Sequence, residues 1–316
     1  MESITFVGID ASKDKLDVHI DRPHRRRHCF ANTRKGIAQL CAHLGQGKFI
    51  IAIEASGRYE ALARHELEAA GYEVRLQNPR QVRRLAEGLG IGAKTDSIDA
   101  EILARTATLC TPNEPRTKER QQLTDVSRAI ETLKKERSGH LVRLKTPELS
   151  LAVVKVLKKV VLSLERQIQN LSNEFVRMVK LSPLAERYEL AMSVPRVGPN
   201  TARIAVCELP QELDRWSIRQ LASYAGVAPH DDQSGKKKLP ARLPKHKNPH
   251  LKGALYMPAM GLIKHHDWAR KTYSRLRTRG LTHQQAIVPI MHKLLFHLVG
   301  VLKRGSAWQA DPPRNT

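Results

Sequence analysis

Cysteine is scarce in this sequence: Cys29, Cys41, Cys110 and Cys207 are the four in 316 residues. They form no CxxC pair, and no histidine stands at zinc-ligand spacing from them, which excludes zinc-finger and zinc-ribbon folds. Scattered in this way they read as reduced thiols of a cytoplasmic protein. The pairs His265-His266 and His292/His297 lack a carboxylate at ligand spacing and read as surface or phosphate-facing groups. No apolar stretch approaches the roughly 20 residues of a spanning helix. The N-terminus enters an apolar run almost at once, without a signal-peptide layout, so no membrane partner is expected. The glycine-rich stretch Gly88, Gly90, Gly92 matches neither GxxxxGK[ST] nor GxGxxG in a βα turn, which argues against a nucleotide cradle. Acids are short as well: 31 Asp and Glu face 54 Lys and Arg, a net charge of +23. An imbalance of that size points to a polyanion, and in the absence of a membrane segment to nucleic acid.

What the sequence does have is four acids placed for metal-dependent phosphoryl transfer. Asp10 follows the apolar run Ile4–Ile9, and Glu54 follows Phe49–Ile53. Short β-branched runs of this kind predict buried strands. A carboxylate at such a strand end sits at the edge of the core, dry enough to hold a cation and open enough to meet substrate. Asp96 and Asp99 stand three apart in Lys94-Thr95-Asp96-Ser97-Ile98-Asp99-Ala100. On a helix that spacing shares a face, and Thr95 before Asp96 suits a helix start. Each acid alone could be a cap. Together, two strand-end acids and one helical pair suit a hard, oxygen-seeking cation such as Mg²⁺.

The first 112 residues alternate strands and helices. Runs at 4–10, 16–20 and 28–32 predict a three-strand meander; 33–44 reads as a helix, 49–55 as a strand, 59–70 as a helix and 73–77 as a strand. A helix over 80–87 follows, then one beginning near Asp96. A meander followed by alternating helices and strands is the order of the ribonuclease-H-like fold. Residues 113–182 carry apolar positions at three-four spacing, most strictly Val154, Leu157, Val161, Leu164, Ile168, Leu171, Phe175 and Met178. That repeat predicts a coiled-coil seam, between two chains or within an intramolecular helical hairpin. Residues 183–316 contain Ser193–Ala202, patterned like a helix-hairpin-helix turn. There Gly198, Asn200 and the following helix N-terminus would present N–H groups to a phosphate. A polar, proline-broken stretch over 230–250 then holds Gln233-Ser234-Gly235, and basic helical segments finish the chain.

Taken in order, these segments resemble the DEDD transposases of bacterial insertion-sequence family 110, the RNA-guided bridge recombinases. The resemblance covers essentially the whole chain. It rests on Gly8-Ile9-Asp10, Phe30-Ala31-Asn32-Thr33, Ile53-Glu54-Ala55-Ser56-Gly57-Arg58-Tyr59, Asn78-Pro79 and Lys94–Ala100 in the first domain. In the last it rests on Val194-Pro195-Arg196-Val197-Gly198, Tyr224–Pro229, Gln233-Ser234-Gly235 and Ala254–Met260.

The resemblance implies an α/β RuvC-like domain over 1–112, a coiled-coil linker over 113–182 and a mainly helical transposase domain over 183–316. It implies that Asp10, Glu54, Asp96 and Asp99 bind Mg²⁺, that Ser234 is the nucleophile, that donor and target DNA are the substrates, and that a guide RNA selects them. A homodimer or homotetramer is expected, because exchanging four strands needs several active sites. The loop after the Ser-Gly pair departs from many relatives: it reads Lys236, Lys237, Lys238, Leu239-Pro240, then Lys245-His246-Lys247. Its charge suits phosphate contacts, though not at the family's usual positions. Two other readings stay open on the sequence. One is a RuvC-like junction-resolving nuclease using metal-activated water; the other is a non-catalytic nucleic-acid-binding protein.

Overall fold

Five apolar runs and the amphipathic segments between them fold into a mixed sheet. The computed structural model describes residues 4–21, 26–55, 57–91, 96–109, 117–234, 237–243 and 247–309; for 26, 96–98, 109, 230–234 and 237–242 it gives the backbone course alone. The chain divides into two compact units, Met1–Pro115 and Arg116–Thr316.

The first unit contains β1 (Thr5–Ala11), β2 (Lys15–Ile20), β3 (Arg26–Ala31), α1 (Arg34–Leu44), β4 (Phe49–Glu54), α2 (Glu60–Ala69), β5 (Glu73–Gln77), α3 (Pro79–Gly88) and α4 (Asp96–Leu109). The sheet order is β3-β2-β1-β4-β5. The first three strands are antiparallel neighbours, and β4 and β5 add in parallel. That arrangement is consistent with the ribonuclease-H-like order expected, and each boundary falls within two residues of its sequence reading. The helix starts follow from local chemistry. Thr33 caps α1 by accepting from Gly36 N at 3.2 Å, and Asn78 caps α3 by accepting from Arg80 N at 3.0 Å, with Pro79 in the first turn.

Alternation along β1 and β4 divides the core. Val7, Ile9, Ile51 and Ile53 pack with Ile37, Leu40, Ala63 and Leu67 of α1 and α2. Ile50 and Ala52 turn to the opposite face and pack with Ile102 and Leu103 of α4. Gly8 lies on this second face. A Cβ there would overlap the backbone carbonyl of Ala100 and the amide nitrogen of Ala104, and would stand 2.9 Å from the Leu103 Cβ. Only the absence of a side chain lets α4 seat directly on the central strand.

The second unit contains α5 (Lys118–Arg143), α6 (Leu151–Lys180), α7 (Ala185–Ser193), α8 (Pro199–Glu208), α9 (Ile218–Tyr224), β6 (His230–Ser234), β7 (Lys237–Arg242), α10 (Pro249–His265), α11 (Asp267–Thr278) and α12 (His283–Arg304). The break at Pro147 lets α5 fold back along α6, with Arg137 paired to Glu165 at 3.6 Å. The three-four repeat of α6 is used here within the chain: Leu123 and Ile130 of α5 share one core with Phe175 and Val179 of α6. Buried polar side chains tie α8 to α5. The Arg203 guanidinium, 4% exposed, donates to Ser127 O at 2.7 Å, to Glu131 at 2.5 Å and to Asn200 Oδ1 at 2.8 Å.

Within the polar stretch over 230–250, His230–Ser234 and Lys237–Arg242 pair as an antiparallel hairpin, with Ser234 opposite Lys237. One expectation needs correcting here. The chain has a segment of spanning length. α12 runs 22 residues and is apolar enough to cross a membrane by length and composition alone. Over half of its most apolar window is buried against the rest of the unit, so its hydrophobicity is spent on the core.

Candidate active site and nucleic-acid interface

Asp10 and Glu54 come together through strand register. Ile9 pairs with Ile53 across the parallel β1–β4 ladder, so the next residues, Asp10 and Glu54, lie side by side at the strands' C-terminal ends, their Cα atoms about 4.8 Å apart. Residues two apart share a sheet face, which puts Asp10 on the side of Gly8 and Glu54 on the side of Ala52, the side that α4 covers. Asp99 immediately precedes Ala100, the residue whose carbonyl lies against Gly8. The close seat of α4 thus carries Asp99 toward the same end of the sheet. Asp96 begins α4, and its side chain lies outside the described residues. Asp10, Glu54 and Asp99 each have a polar partner already. Among the described residues, no three Asp, Glu, His or Cys side chains are grouped closely enough to hold a metal.

Two further residues of this region escaped the sequence reading. Asp17 is the antiparallel partner of Asp10. Like charges directly opposite repel, and Lys15 at 2.9 Å from Asp17 offsets part of that repulsion. Asp10, Asp17 and Glu54 bring carboxylate oxygens to one end of the sheet, the hard donor type that divalent cations take, though as they stand they are not grouped closely enough to hold one. Asn32 donates to the Ser12 carbonyl at 2.7 Å and to the Tyr59 carbonyl at 2.8 Å. It joins the segments that follow Asp10 and Glu54, a role visible only once the strands are side by side.

In the second unit, Ser234 ends β6; its side chain, with those of Lys237 and Lys238, lies outside the described residues, as do Lys236 and Lys245 entirely. Asn248, at the start of α10, is firmly held. It caps α10 by accepting from Leu251 N at 2.9 Å, and donates to Glu208 at 2.9 Å and to the Tyr224 hydroxyl at 3.2 Å. Glu208 is 5% exposed and pairs with Arg128 at 3.3 Å. Lys247 stands exposed beside it. In the helix-hairpin-helix-like turn, Gly198 precedes α8 in extended conformation, while Arg196 takes the left-handed one at φ 67°. The Asn200 carbonyl oxygen already accepts from Lys134 and Arg203.

Strand-end carboxylates on a mixed sheet, followed by a basic helical unit, suit an enzyme of the nucleic-acid-processing class. Comparison with known families carries this further. Residues 7–147 match the DEDD transposase model of IS110 elements, and residues 188–274 match the model described as Transposase IS116/IS110/IS902 family. The pilin gene-inverting protein of Moraxella bovis is 27% identical over 317 aligned residues, covering 96% of this chain and 97% of that one. The transposase for insertion sequence element IS1328 of Yersinia enterocolitica is 24% identical over 75% of this chain and 77% of its own. An IS110 protein of Streptomyces coelicolor is 28% identical over 42% of this chain. The chain belongs to the IS116/IS110/IS902 family of transposases and recombinases, enzymes that act on DNA.

Proposed function

We propose that this protein cleaves and rejoins DNA through a covalent serine intermediate, with Asp10, Glu54, Asp96 and Asp99 as Mg²⁺ ligands, Ser234 as nucleophile and a guide RNA choosing the sites. The observation that carries the reading is the position of Asp10 and Glu54, each one residue beyond the Ile9–Ile53 pair, on the sheet face that Gly8 opens to α4. Carboxylate oxygens are the donors Mg²⁺ takes, and the like charges of Asp10 and Asp17, opposite each other across β1 and β2, are what a cation would offset. Bound there, Mg²⁺ supplies Lewis-acid polarisation of a phosphate. The ribonuclease-H-like unit then acts as the DEDD domain and the α5–α6 hairpin as a coiled-coil linker to the transposase domain.

The chain's own residues supply the rest. The Ser234 hydroxyl forms one P–O bond as one phosphodiester P–O bond breaks, giving up its proton while the leaving sugar oxygen takes one. The number of phosphate esters is conserved, so the strand can be rejoined to a new partner, whereas hydrolysis would spend that bond on water. Lys236, Lys237, Lys238, Lys245 and Lys247, with the N–H groups beside Gly198 and Asn200, hold backbone phosphates without reading bases. Sequence choice by RNA pairing suits so basic and so unselective a surface. Rejoining in pairs calls for a homodimer or homotetramer.

The experiment uses DNA labelled at the scissile phosphate. Label should transfer to a peptide containing Ser234, and Ser234→Ala should abolish adduct and recombination while leaving nucleic-acid binding nearly unchanged. Asp10→Asn should abolish cleavage without lowering the melting temperature. Cleavage without any protein-bound label would instead favour the junction-resolving nuclease, and label on another residue would refute Ser234.

A further inference from the structure

The C-terminal unit contains a cavity of about 490 Å³ between α10 and α12. Its floor is apolar, formed by Ile287, Val288 and Met291, all buried, with Leu243 closing one side. Its rim is cationic. Gly226 holds the left-handed conformation, φ 71°, and a Cβ there would stand 3.3 Å from the Lys247 Cβ and 3.7 Å from the Lys252 Cδ. Both lysine stems therefore pass one point of the rim. Neither has an ion-pair partner among the described residues. Tyr256, 37% exposed and one helical turn along α10 from Lys252, also lines the cavity. Its hydroxyl meets Nε2 of His283 at 2.9 Å, and Nδ1 of the same ring meets the Tyr273 hydroxyl at 2.7 Å. A neutral imidazole accepts from one tyrosine and donates to the other, so the Tyr256 ring is fixed from its far end.

An apolar slot, a fixed aromatic wall and two cations on one rim divide a ligand into a flat apolar part and an anionic part. The volume lies within the range of small-molecule sites, about 300–1,000 Å³. A purely apolar ligand would leave the lysines unused, and a lone phosphate would leave the slot empty. A nucleotide uses both, its base against Tyr256 and the α12 side chains, its phosphate between Lys247 and Lys252, with the Gln284 amide beside the base edge.

We propose that this cavity captures one unstacked nucleotide from a single-stranded segment of bound nucleic acid. The inference rests on the nucleic-acid-binding reading above and adds to it a place where the protein meets a base. Withdrawing a base costs least where the strand is already unpaired, which points to an RNA loop or an opened DNA strand.

Gly253 permits a clean test. It lines the cavity from within α10, and a Cβ there would meet no atom within 4 Å. Gly253→Phe can therefore block the cavity while removing a mid-helix glycine, a change that favours the helix. Full-length wild type, Gly253→Phe and Tyr256→Ala are titrated by fluorescence anisotropy at fixed salt. The probes are single-stranded DNA and a hairpin-loop RNA, each with its bases intact and with the unpaired segment made abasic. Wild type should prefer the intact strand by about 10-fold, the discrimination that one stacked base supplies. Both variants should bind intact and abasic strands alike, at the wild-type abasic affinity. Preference on RNA alone, DNA alone or both identifies the source. Wild-type indifference to base removal, or an undiminished preference in Gly253→Phe and Tyr256→Ala, would overturn the proposal. Failure to bind even the abasic strands would overturn the nucleic-acid reading itself, a separate result.

Discussion

Adding one methyl group at Gly8 should dismantle the carboxylate site. The new Cβ of Gly8→Ala would overlap two backbone atoms of α4, at Ala100 and Ala104, and sit 2.9 Å from the Leu103 Cβ. None of these is the end of a flexible side chain. β1 cannot yield, because β2 and β4 are paired along its two edges. The helix must retreat instead, by about 0.6 Å at Leu103 alone to reach an ordinary ~3.5 Å carbon contact, and further at Ala100. Overpacking of this kind costs about 1–3 kcal/mol, and with a fixed strand beneath, the upper end applies. For a unit of this size about 3 kcal/mol lowers the melting temperature by roughly 10–15 °C. Asp99 moves with Ala100, and a displacement of about 1 Å at a catalytic group costs on the order of 100-fold in rate. The assay is circular-dichroism melting together with strand cleavage well below the melting point. Gly36→Ala is the control: its Cβ would collide with the Ala31 backbone, where β3 leads into α1, on an element packed against the other sheet face. It should destabilise similarly yet cleave normally while folded. If Gly8→Ala melts within about 2 °C of wild type and cleaves at its rate, the seating of α4 is not what builds the site.

Burial, reinforced by Lys293 and Arg304, pushes the His297 imidazole down to about 4 from 6.5. A depressed histidine stabilises the fold above its unfolded value and loses that contribution as pH falls from about 6.5 to 4. The gap is worth at most about 3 kcal/mol, and screening at this half-buried position leaves about 1–2; urea midpoints at pH 7 and pH 4.5 should show that loss shrinking in His297→Phe. Arg203→Ala should cost about 1–3 kcal/mol by leaving buried Ser127 without its donor, since the part-exposed Glu131 keeps Lys134 at 3.6 Å, and Arg203→Lys should recover little because an ammonium cannot fork between Ser127 and Glu131; chemical denaturation measures both. Affinity for RNA or DNA should fall steeply with salt, each neutralised phosphate adding about 0.7–0.9 to the log–log slope; a flat response between dilute and physiological buffer would count against polyanion binding.

The sheet was legible because Phe6–Ile9 and Phe49–Ile53 are apolar and β-branched, and buried strands have no other ready explanation. The placing of Asp10 and Glu54 at strand ends was readable from the same runs. The β6–β7 hairpin was not, because His-Asp-Asp-Gln-Ser and Lys-Lys-Leu-Pro-Ala-Arg lack the apolar alternation that marks a strand. The buried charges Arg120, Arg203 and Glu208 were equally hidden, since a charged residue on a helix is read as solvated unless its partner is known. Arg203 finds Glu131 from 72 positions away. The cavity draws its walls from 226 to 291, so no local window contained it. Gly8 was visible as part of a motif, but the reason for it lies in residues 100–104.

That distance has a consequence in time. Gly8 and Ala100 are separated by 92 positions, and at about 5–20 residues per second a ribosome takes some 5–20 s to make the intervening chain. During that interval β1, β2 and β3 can pair, while the face of Phe6, Ile50 and Ala52 waits uncovered for Ile102 and Leu103. The nascent protein therefore passes through a stage with a sheet but without the helix that carries Asp96 and Asp99. The sheet face beside Gly8 is completed in one late step, when α4 docks, and that exposed apolar face makes this stage the one most in need of a chaperone.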